Sequence, residues 1–355
     1  MNHLPQIAEN LSKYDLDAML ITSGPGEYYA VGFHGEGFVL VTPQKNFYST
    51  DSRYLEAAAA IEYVELCPVT GGADHLALAA GHIRSLGIKS LGFEEDAVSF
   101  AMYNKIREAL PPETKLIPAA KLLSSLRESK DEEELRLMKK AQEITDLAFS
   151  EILNDIRPGV KETELAARLT YLQMKYGAQK NSFDPIVASG ANGSMPHAIP
   201  TEKEIHSGEF VTMDFGCMYH GYCSDMTRTI CVGSPSAEME KVYYTVLEAQ
   251  KAGIAAAKAG IPGRDIHNAA AAVIEKAGYG DYFGHGFGHS LGIEIHEAPN
   301  ASLRNDAPMP FHAVVSAEPG IYLPGCFGVR IEDVLIYEKD GCTDITHSPK
   351  HLICL

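Results

Sequence analysis

In the first third of the chain, short stretches with the hydrophobic pattern of strands are mixed with stretches that have helical spacing, which is typical of a mixed α/β unit. The pattern predicts a strand at 16–21, a Ser-Gly-Pro-Gly turn at 23–26, and a hairpin of strands 37–42 and 46–49 around Pro43-Gln44-Lys45. Apolar residues at helical spacing then predict further helices, at 53–60, 72–86 and 100–110.

A long charged amphipathic helix is predicted from Lys130 onward, with Leu135, Met138 and Ile144 at helical spacing. The composition becomes strongly charged between Leu122 and Lys130, and we place the domain boundary there. The predicted domains are residues 1–126 and 127–355. Two domains also agree with the general size limit of a single hydrophobic core.

The second domain repeats one pattern, two helices followed by antiparallel strands. The first pass covers helices within 135–176 and strands within 210–232, and the second covers helices within 241–277 and strands within 314–337. A chemical site between two such halves would draw its residues from both.

Composition and charge exclude several classes of protein. The net charge of −17 argues against nucleic acid and anionic membrane as main partners, since both bind basic surfaces. The sequence has no apolar run long enough to span a membrane, and its N-terminus does not have the pattern of a secretory signal. The seven cysteines include no C-x-x-C pair, which favours a reduced, cytoplasmic protein whose metal sites use oxygen and nitrogen.

Two aspartates lie on a predicted hairpin, in the segment EFVTMDFGCMYHGYCSDMTRTICVG. Folding this segment about the midpoint between Tyr219 and His220 places Asp214 opposite Asp225. Directly opposed side chains on one sheet face are only about 4.5–5.5 Å apart at Cβ, so two carboxylates need a shared proton or a bound cation. The alternative is a register in which both aspartates face solvent.

Three histidines, His285, His289 and His296, lie in the glycine-rich stretch GHGFGHSLGIEIHEAP. Imidazole is a common metal ligand, and glycines let the backbone approach a small site. A loop with surface histidines would account for the same pattern.

Two glutamates follow, Glu318 just before a Pro-Gly and Glu332 on a strand that also carries Arg330 on the same face. Glu332 and Arg330 could be a plain ion pair. Taken together with Asp214, Asp225 and the histidines, however, the glutamates describe an oxygen-rich site for manganese, cobalt, zinc or iron(II). Four carboxylates exceed the need of one cation, so we expect two.

These residues, in this order and spacing, resemble the pita-bread family of peptidases, which includes methionine aminopeptidase, aminopeptidase P, prolidase and creatinase. The resemblance covers the whole chain. It implies an α/β fold of the α+β type, in which residues 1–126 form a creatinase-type N-terminal domain and residues 127–355 form a pita-bread catalytic domain with pseudo-twofold ααββ repeats. The segments GFHGEGFVLVT and FYSTDSRYLEAA carry the N-terminal part of the resemblance.

The resemblance also implies a role for each site residue. Asp214 would chelate one metal, Asp225 and Glu332 would bridge the pair, and His289 and Glu318 would complete the second. Glu318 would also carry the proton to the leaving nitrogen. The remaining implied catalytic residues contact the substrate or help to define the branch of the family: His197, His285, His296 and Arg330.

An intact ligand set, together with His285, Arg330 and the N-terminal domain, favours the proline-directed branch of this family. The expected enzyme is a cytoplasmic, homodimeric metallopeptidase that hydrolyses the Xaa-Pro bond of dipeptides or short peptides, with two divalent ions, manganese preferred, and a bridging hydroxide as nucleophile. The alternatives are an aminopeptidase P-type or broader aminopeptidase, a creatinase-like amidinohydrolase, and a non-catalytic binding protein that retains the fold.

Overall fold

The structure, a computed structural model, describes residues 2–355 and divides into two compact units, one that ends at Arg127 and one from Glu128 to Leu355. Within the described residues, no helix combines the length and apolar character needed to span a membrane.

The first unit is built on one six-stranded mixed sheet. In chain order its strands are β1 Ala18–Ile21, β2 Phe38–Val41, β3 Phe47–Thr50, β4 Glu65–Pro68, β5 Ser90–Phe93 and β6 Lys115–Pro118. Its helices are α1 Leu4–Asn10, α2 Gly24–Val31, α3 Leu55–Ala58, α4 His75–Leu86, α5 Phe100–Ala109 and α6 Ala120–Arg127. The order across the sheet is β4-β3-β2-β1-β5-β6, and the predicted β2–β3 hairpin is confirmed.

The predicted turn at 23–26 is wrong, because these residues begin helix α2. The Ser23 hydroxyl caps the helix by accepting a hydrogen bond from the Gly26 amide, and Pro25 lies in the first turn, where a missing N–H has no cost. Gly-Pro-Gly is compatible with both a turn and a helix start, which explains the error.

The second unit contains four long helices that alternate with sheets. The helices are α7 Glu132–Ile152, α8 Glu162–Lys175, α9 Ala237–Ala256 and α10 Gly263–Lys276. The first strands are β7 Lys180–Asn181, β8 Ile186–Ser189, β9 Glu209–Phe215, β10 Cys217–Tyr219, β11 Tyr222–Cys223 and β12 Met226–Val232. The later strands are β13 Gly288–Ser290, β14 Glu297–Ala301, β15 Val314–Ala317, β16 Gly320–Leu323, β17 Phe327–Arg330, β18 Asp333–Tyr337 and β19 Cys342–Asp344.

The predicted repeat is confirmed, since α7 and α8 precede the antiparallel pair β9–β12 and α9 and α10 precede the antiparallel pair β15–β18. Each helix pair packs on its own sheet. One core includes Phe149, Leu169 and Val211, and the other includes Val246 and Leu335. Full burial of each such side chain stabilises the folded state by roughly 1.5–3 kcal/mol. Both sheets therefore hold the polar side chains at their edges in well-defined positions.

The hairpin register predicted for the two aspartates is wrong by two positions. Tyr219 pairs with Tyr222 and Asp214 pairs with Thr227, so the turn is His220-Gly221. Both turn residues have positive φ, 44° and 77°, as a type I′ hairpin turn requires. Because the register differs from the predicted one by two positions, and strand side chains alternate with a period of two, Asp214 and Asp225 still lie on one face of the sheet. They are diagonal neighbours instead of directly opposed ones.

Candidate metal centre

The first pair of carboxylates lies at one end of the β9–β12 ladder. Asp214 is the penultimate residue of β9, and Asp225 directly precedes β12. Their exposed fractions are 9% and 4%. A close backbone approach supports this end of the hairpin, since a Cβ at Gly216 would lie 1.9 Å from the Ser224 carbonyl oxygen. The hairpin thus holds two acidic side chains in a buried position.

The second pair comes from the other half of the unit. Strands β15 and β18 are paired, and the last pair in this ladder is Ala317 with Asp333. Glu318 and Glu332 are the next residues beyond that pair, so the sheet brings them to the same end. The Glu332 side chain is 1% exposed.

Thr227 joins the two halves. It pairs with Asp214 within the first sheet, its carbonyl accepts a hydrogen bond from the Glu332 amide at 3.1 Å, and its hydroxyl donates to Glu332 Oε2 at 2.6 Å. A single residue therefore sets the position of a carboxylate from each repeat.

His289 lies on β13 and presents one ring nitrogen to the acidic cluster. Its Nε2 is 3.7 Å from Asp225 Oδ2 and 3.4 Å from Glu318 Oε1. Its Nδ1 lies 3.2 Å from the Ser290 carbonyl oxygen, and donation to that acceptor leaves the lone pair on Nε2. Burial lowers the pKa of His289, which favours the neutral, ligating form.

Three buried carboxylate oxygens accept no hydrogen bond from any described residue: Asp214 Oδ1, Asp225 Oδ1 and Glu332 Oε1. A buried anionic oxygen without a partner is costly unless a cation compensates it. Ligand atoms of Asp225, His289 and Glu332 also lie within 4.8 Å of one another. These residues fit a divalent cation, because they supply hard oxygen and nitrogen donors whose remaining lone pairs are not otherwise used.

The close approach of the buried carboxylates raises the pKa values of Asp225 and Glu332. Burial, together with the neighbouring charges of Glu332 and Asp214, raises the pKa of Asp225 well above its usual range. Burial and the charges of Glu318 and Asp214 raise the pKa of Glu332 in the same way. Metal-free, the cluster retains protons that a bound cation would displace.

The buried guanidinium of Arg330 borders this cluster. Arg330 Nη2 donates to Asp214 Oδ2 at 2.6 Å, and Nη1 donates to the Tyr322 hydroxyl at 2.8 Å. The Tyr322 hydroxyl lies 3.0 Å from His285 Nε2, and His285 Nδ1 lies 2.9 Å from the Gly286 carbonyl. A consistent proton arrangement has Tyr322 donating to a neutral His285, whose pKa burial lowers.

All nine residues singled out in the sequence line one cavity of about 1330 Å³. The cavity lining includes the five predicted metal ligands, together with His197, His285, His296 and Arg330. His197 follows Pro196, whose carbonyl oxygen accepts a hydrogen bond from Arg330 Nη1 at 3.2 Å. The His289 and His296 rings meet edge to face at 4.3 Å. The same cavity is walled by aromatic and aliphatic residues, among them Phe183, Ile186, Phe283 and Leu303.

Several residues that shape this site gave no recognisable signal in the sequence. Thr227 and Tyr322 hold its charged side chains, as above. Gln250 of α9 donates through Nε2 to the carbonyls of Ala317 and Ile331, the residues just before the two glutamates, at 3.0 and 3.2 Å. A glutamine within an amphipathic helix is ordinary, so only the three-dimensional contacts reveal this role.

Known proteins resemble the chain in both units. Residues 4–129 match the creatinase/prolidase N-terminal domain, and residues 136–339 match metallopeptidase family M24. The uncharacterized peptidase YqhT of Bacillus subtilis is 40% identical over 99% of both chains. The solved Xaa-Pro dipeptidase from Bacillus anthracis is 40% identical with a TM-score of 0.95 over 99% of both chains. The X-Pro aminopeptidase from Thermotoga maritima is 37% identical with a TM-score of 0.92, over 96% of this chain and 98% of that one.

The resemblance drawn from the sequence and its fold class are thereby confirmed. Family M24 carries out metal-dependent peptide hydrolysis, and the donor set described above agrees with a requirement for divalent ions. The chain belongs to metallopeptidase family M24 and is an enzyme with a creatinase/prolidase-type N-terminal domain followed by a pita-bread catalytic domain.

Proposed function

We propose that this metallopeptidase hydrolyses the Xaa-Pro bond of dipeptides or short peptides with two divalent cations. The observation that carries the proposal is a set of carboxylate oxygens, on Asp214, Asp225 and Glu332, that accept no hydrogen bond from the described residues and line a cavity that also holds His289 and Glu318. Similarity over 99% of the chain to the Bacillus anthracis Xaa-Pro dipeptidase supports the substrate class.

In this proposal Asp225 and Glu332 would serve both ions, Asp214 would hold one of them, and His289 and Glu318 would hold the other. Four carboxylates are enough for two cations and too many for one. Two cations bound here would supply a hydroxide nucleophile at neutral pH and positive charge where the carbonyl oxygen becomes an oxyanion. Manganese is the preferred ion, and cobalt, zinc and iron(II) have the same hard or borderline character.

The remaining side chains act on the peptide itself. Glu318 takes the proton lost by the attacking nucleophile and delivers it to the leaving nitrogen of proline. His197 and His296 contact the substrate from the cavity wall, His296 at its carbonyl oxygen. Arg330 and His285, joined through Tyr322, hold Asp214 and the wall in place.

Proline at the leaving side fits the character of the wall. Its ring is apolar, and its nitrogen carries no N–H in the peptide bond, so a binding site needs no acceptor for that atom. Phe183, Ile186 and Phe283 provide apolar surface in the same cavity as the charged cluster.

A second candidate is an aminopeptidase P-type activity on longer peptides. The cavity, at about 1330 Å³, exceeds the usual 300–1,000 Å³ of a small-ligand pocket and leaves room for residues beyond proline. The Thermotoga maritima X-Pro aminopeptidase is 37% identical to the chain. Homodimer formation and a cytoplasmic location stay predictions from the resemblance.

One metal-reconstituted sample tests both candidates. Ala-Pro, Ala-Pro-Ala and Ala-Ala are compared before and after treatment with excess chelator, and again after manganese is restored. We expect manganese-dependent release of alanine from Ala-Pro. Turnover of Ala-Pro that survives metal removal would contradict the metal-dependent mechanism, and faster cleavage of Ala-Pro-Ala would favour the second candidate. Equal turnover of Ala-Ala would contradict proline specificity.

A further inference from the structure

A second group of metal-ligand side chains lies in the first unit, on residues that the peptidase chemistry does not use. Glu65 and Cys67 are two positions apart on β4, so both side chains project from the same face of that strand. His82 comes from α4. One oxygen, one sulfur and one nitrogen of these three residues all lie within 4.8 Å of one another.

The distance between the thiol and the imidazole already matches the distance expected between two ligands of one ion. Cys67 Sγ lies 3.4 Å from His82 Nε2. Bond lengths of about 2.3 Å for Zn–S and about 2.0–2.1 Å for Zn–N, at a tetrahedral angle, place the two ligand atoms about 3.5 Å apart. An ion could therefore enter with only a small displacement of either side chain.

The surroundings fix two of the three ligands. Cys67 belongs to the hydrophobic core of the first unit and is 8% exposed. The His82 ring stacks on Phe47 with centroids 3.9 Å apart and planes 23° apart, which holds its orientation. Two ligands that are ordered before binding lose little conformational entropy when an ion arrives.

Glu65, the third residue of the group, keeps it accessible to solvent. Its side chain is 44% exposed, so an ion and a water ligand can reach the group from solvent. Lys45 forms an ion pair with Glu65 through Oε2, which leaves the other carboxylate oxygen for a cation. A simple thiol–imidazole hydrogen bond explains the Cys67–His82 contact, but it does not require a carboxylate within the same radius.

We propose that Glu65, Cys67 and His82 form a second divalent-cation site that binds zinc, with a water as the fourth ligand. Sulfur with imidazole and one carboxylate selects zinc, cobalt or cadmium over manganese, which prefers oxygen and nitrogen donors alone. On binding, the Cys67 thiol loses its proton to solvent and the thiolate bonds to the ion. Burial raises the pKa of this thiol in the metal-free protein, so the ion displaces a proton that the site otherwise retains.

Cobalt titration of the full-length, chelator-treated protein tests this site directly. The proposed ligands of the peptidase centre are oxygen and nitrogen donors, so a near-ultraviolet thiolate-to-cobalt charge-transfer band reports on a cysteine outside that centre, and the variants below test whether it is Cys67. We expect the band to appear in the wild type, to disappear when zinc is added, and to persist when excess manganese is added. A titration without such a band would overturn the proposal.

Variants identify the ligands. Cys67→Ser is expected to abolish the band, and Cys326→Ser, which removes an exposed cysteine of the second unit, to leave it unchanged. Because Cys67 is buried, His82→Gln is the second test. It keeps the thiol and is expected to weaken cobalt binding while circular dichroism stays that of the wild type. A band that survives in Cys67→Ser, or an unchanged affinity in His82→Gln, would contradict the assignment.

Discussion

Arg330 and Asp214 form a buried ion pair in which Arg330 Nη2 donates to Asp214 Oδ2 at 2.6 Å, while Asp214 Oδ1 accepts from no described residue. The two residues are 116 positions apart and belong to different halves of the catalytic unit. The arginine thus fixes one oxygen of the carboxylate, and the other is available to a metal ion in the proposed site.

Replacing Arg330 by Met is expected to destabilise the metal-free protein by about 3–5 kcal/mol, because the buried Asp214 carboxylate loses the guanidinium that pairs with it. Arg330→Lys retains the charge and is expected to lose less. Urea unfolding of both variants against the wild type measures the difference. Equal stabilities of Arg330→Met and the wild type would show that the pair contributes nothing to the fold.

Glu332→Gln is expected to reduce the metal content from two ions per chain and to remove most activity, since an amide supplies only one neutral oxygen where a bridging carboxylate supplies two charged ones. Thr227 can still donate to the amide oxygen, so the fold should be retained. Elemental analysis beside circular dichroism checks this. The control is Glu248→Gln, an exposed glutamate paired with Lys251. A full metal complement in Glu332→Gln would refute the bridging role.

The raised pKa of Glu332 predicts how the metal-stripped protein responds to pH. In the unfolded chain this carboxyl has a pKa of about 4.3. Folded, burial and the charges of Glu318 and Asp214 hold its pKa well above that value. The native state therefore binds more protons than the unfolded state once pH exceeds the unfolded value, and this group's contribution to stability falls as pH rises toward the folded pKa.

The corresponding measurement is urea unfolding of metal-stripped wild type and Glu332→Gln at several pH values. The variant cannot ionise at this position, so its stability relative to the wild type should increase from pH 4 to pH 7. A difference that stays constant across this range would mean that the folded carboxyl titrates normally.

Gln250→Met is expected to lower metal affinity and turnover although Gln250 is not one of the cavity-lining residues. The substitution keeps the side-chain volume but leaves the carbonyls of Ala317 and Ile331 without this donor, at a cost of about 1–3 kcal/mol for each unpaired group. Glu318 and Glu332 follow those carbonyls directly. Isothermal titration with manganese measures the affinity, and unchanged binding would limit Gln250 to a role in stability.

The sequence was sufficient for the residues whose chemistry is visible in their type and spacing. The repeat of helix pairs and strand pairs follows from hydrophobic periodicity, and it explains why ligands come from both halves. The face shared by Asp214 and Asp225 survived an error in register because strand side chains alternate with a period of two. The turn itself was misplaced because His220 adopts positive φ, which is uncommon outside glycine.

Supporting contacts could not be predicted in this way. Thr227, Tyr322 and Gln250 are common residue types at ordinary positions, and their partners lie far along the chain or across a turn. Glu332, for example, is 105 positions from the hydroxyl that holds it. Such pairs depend on how two sheets meet, which periodicity within either sheet does not determine. The strands β4, β5 and β6 were likewise missed, because each pairs in parallel with a strand from which at least one helix separates it, so no local hairpin signal marks it.

The division of the proposed metal ligands between the two repeats has a mechanical consequence. Asp225 and Glu332 are bridging candidates from opposite halves, so ions bound between them would act as a removable cross-link between segments more than a hundred residues apart. Such a cross-link resists separation of the two sheets only while it is occupied. The metal-loaded enzyme should then resist proteolysis at the seam between its halves, and this protection should disappear on chelation without any covalent bond being broken.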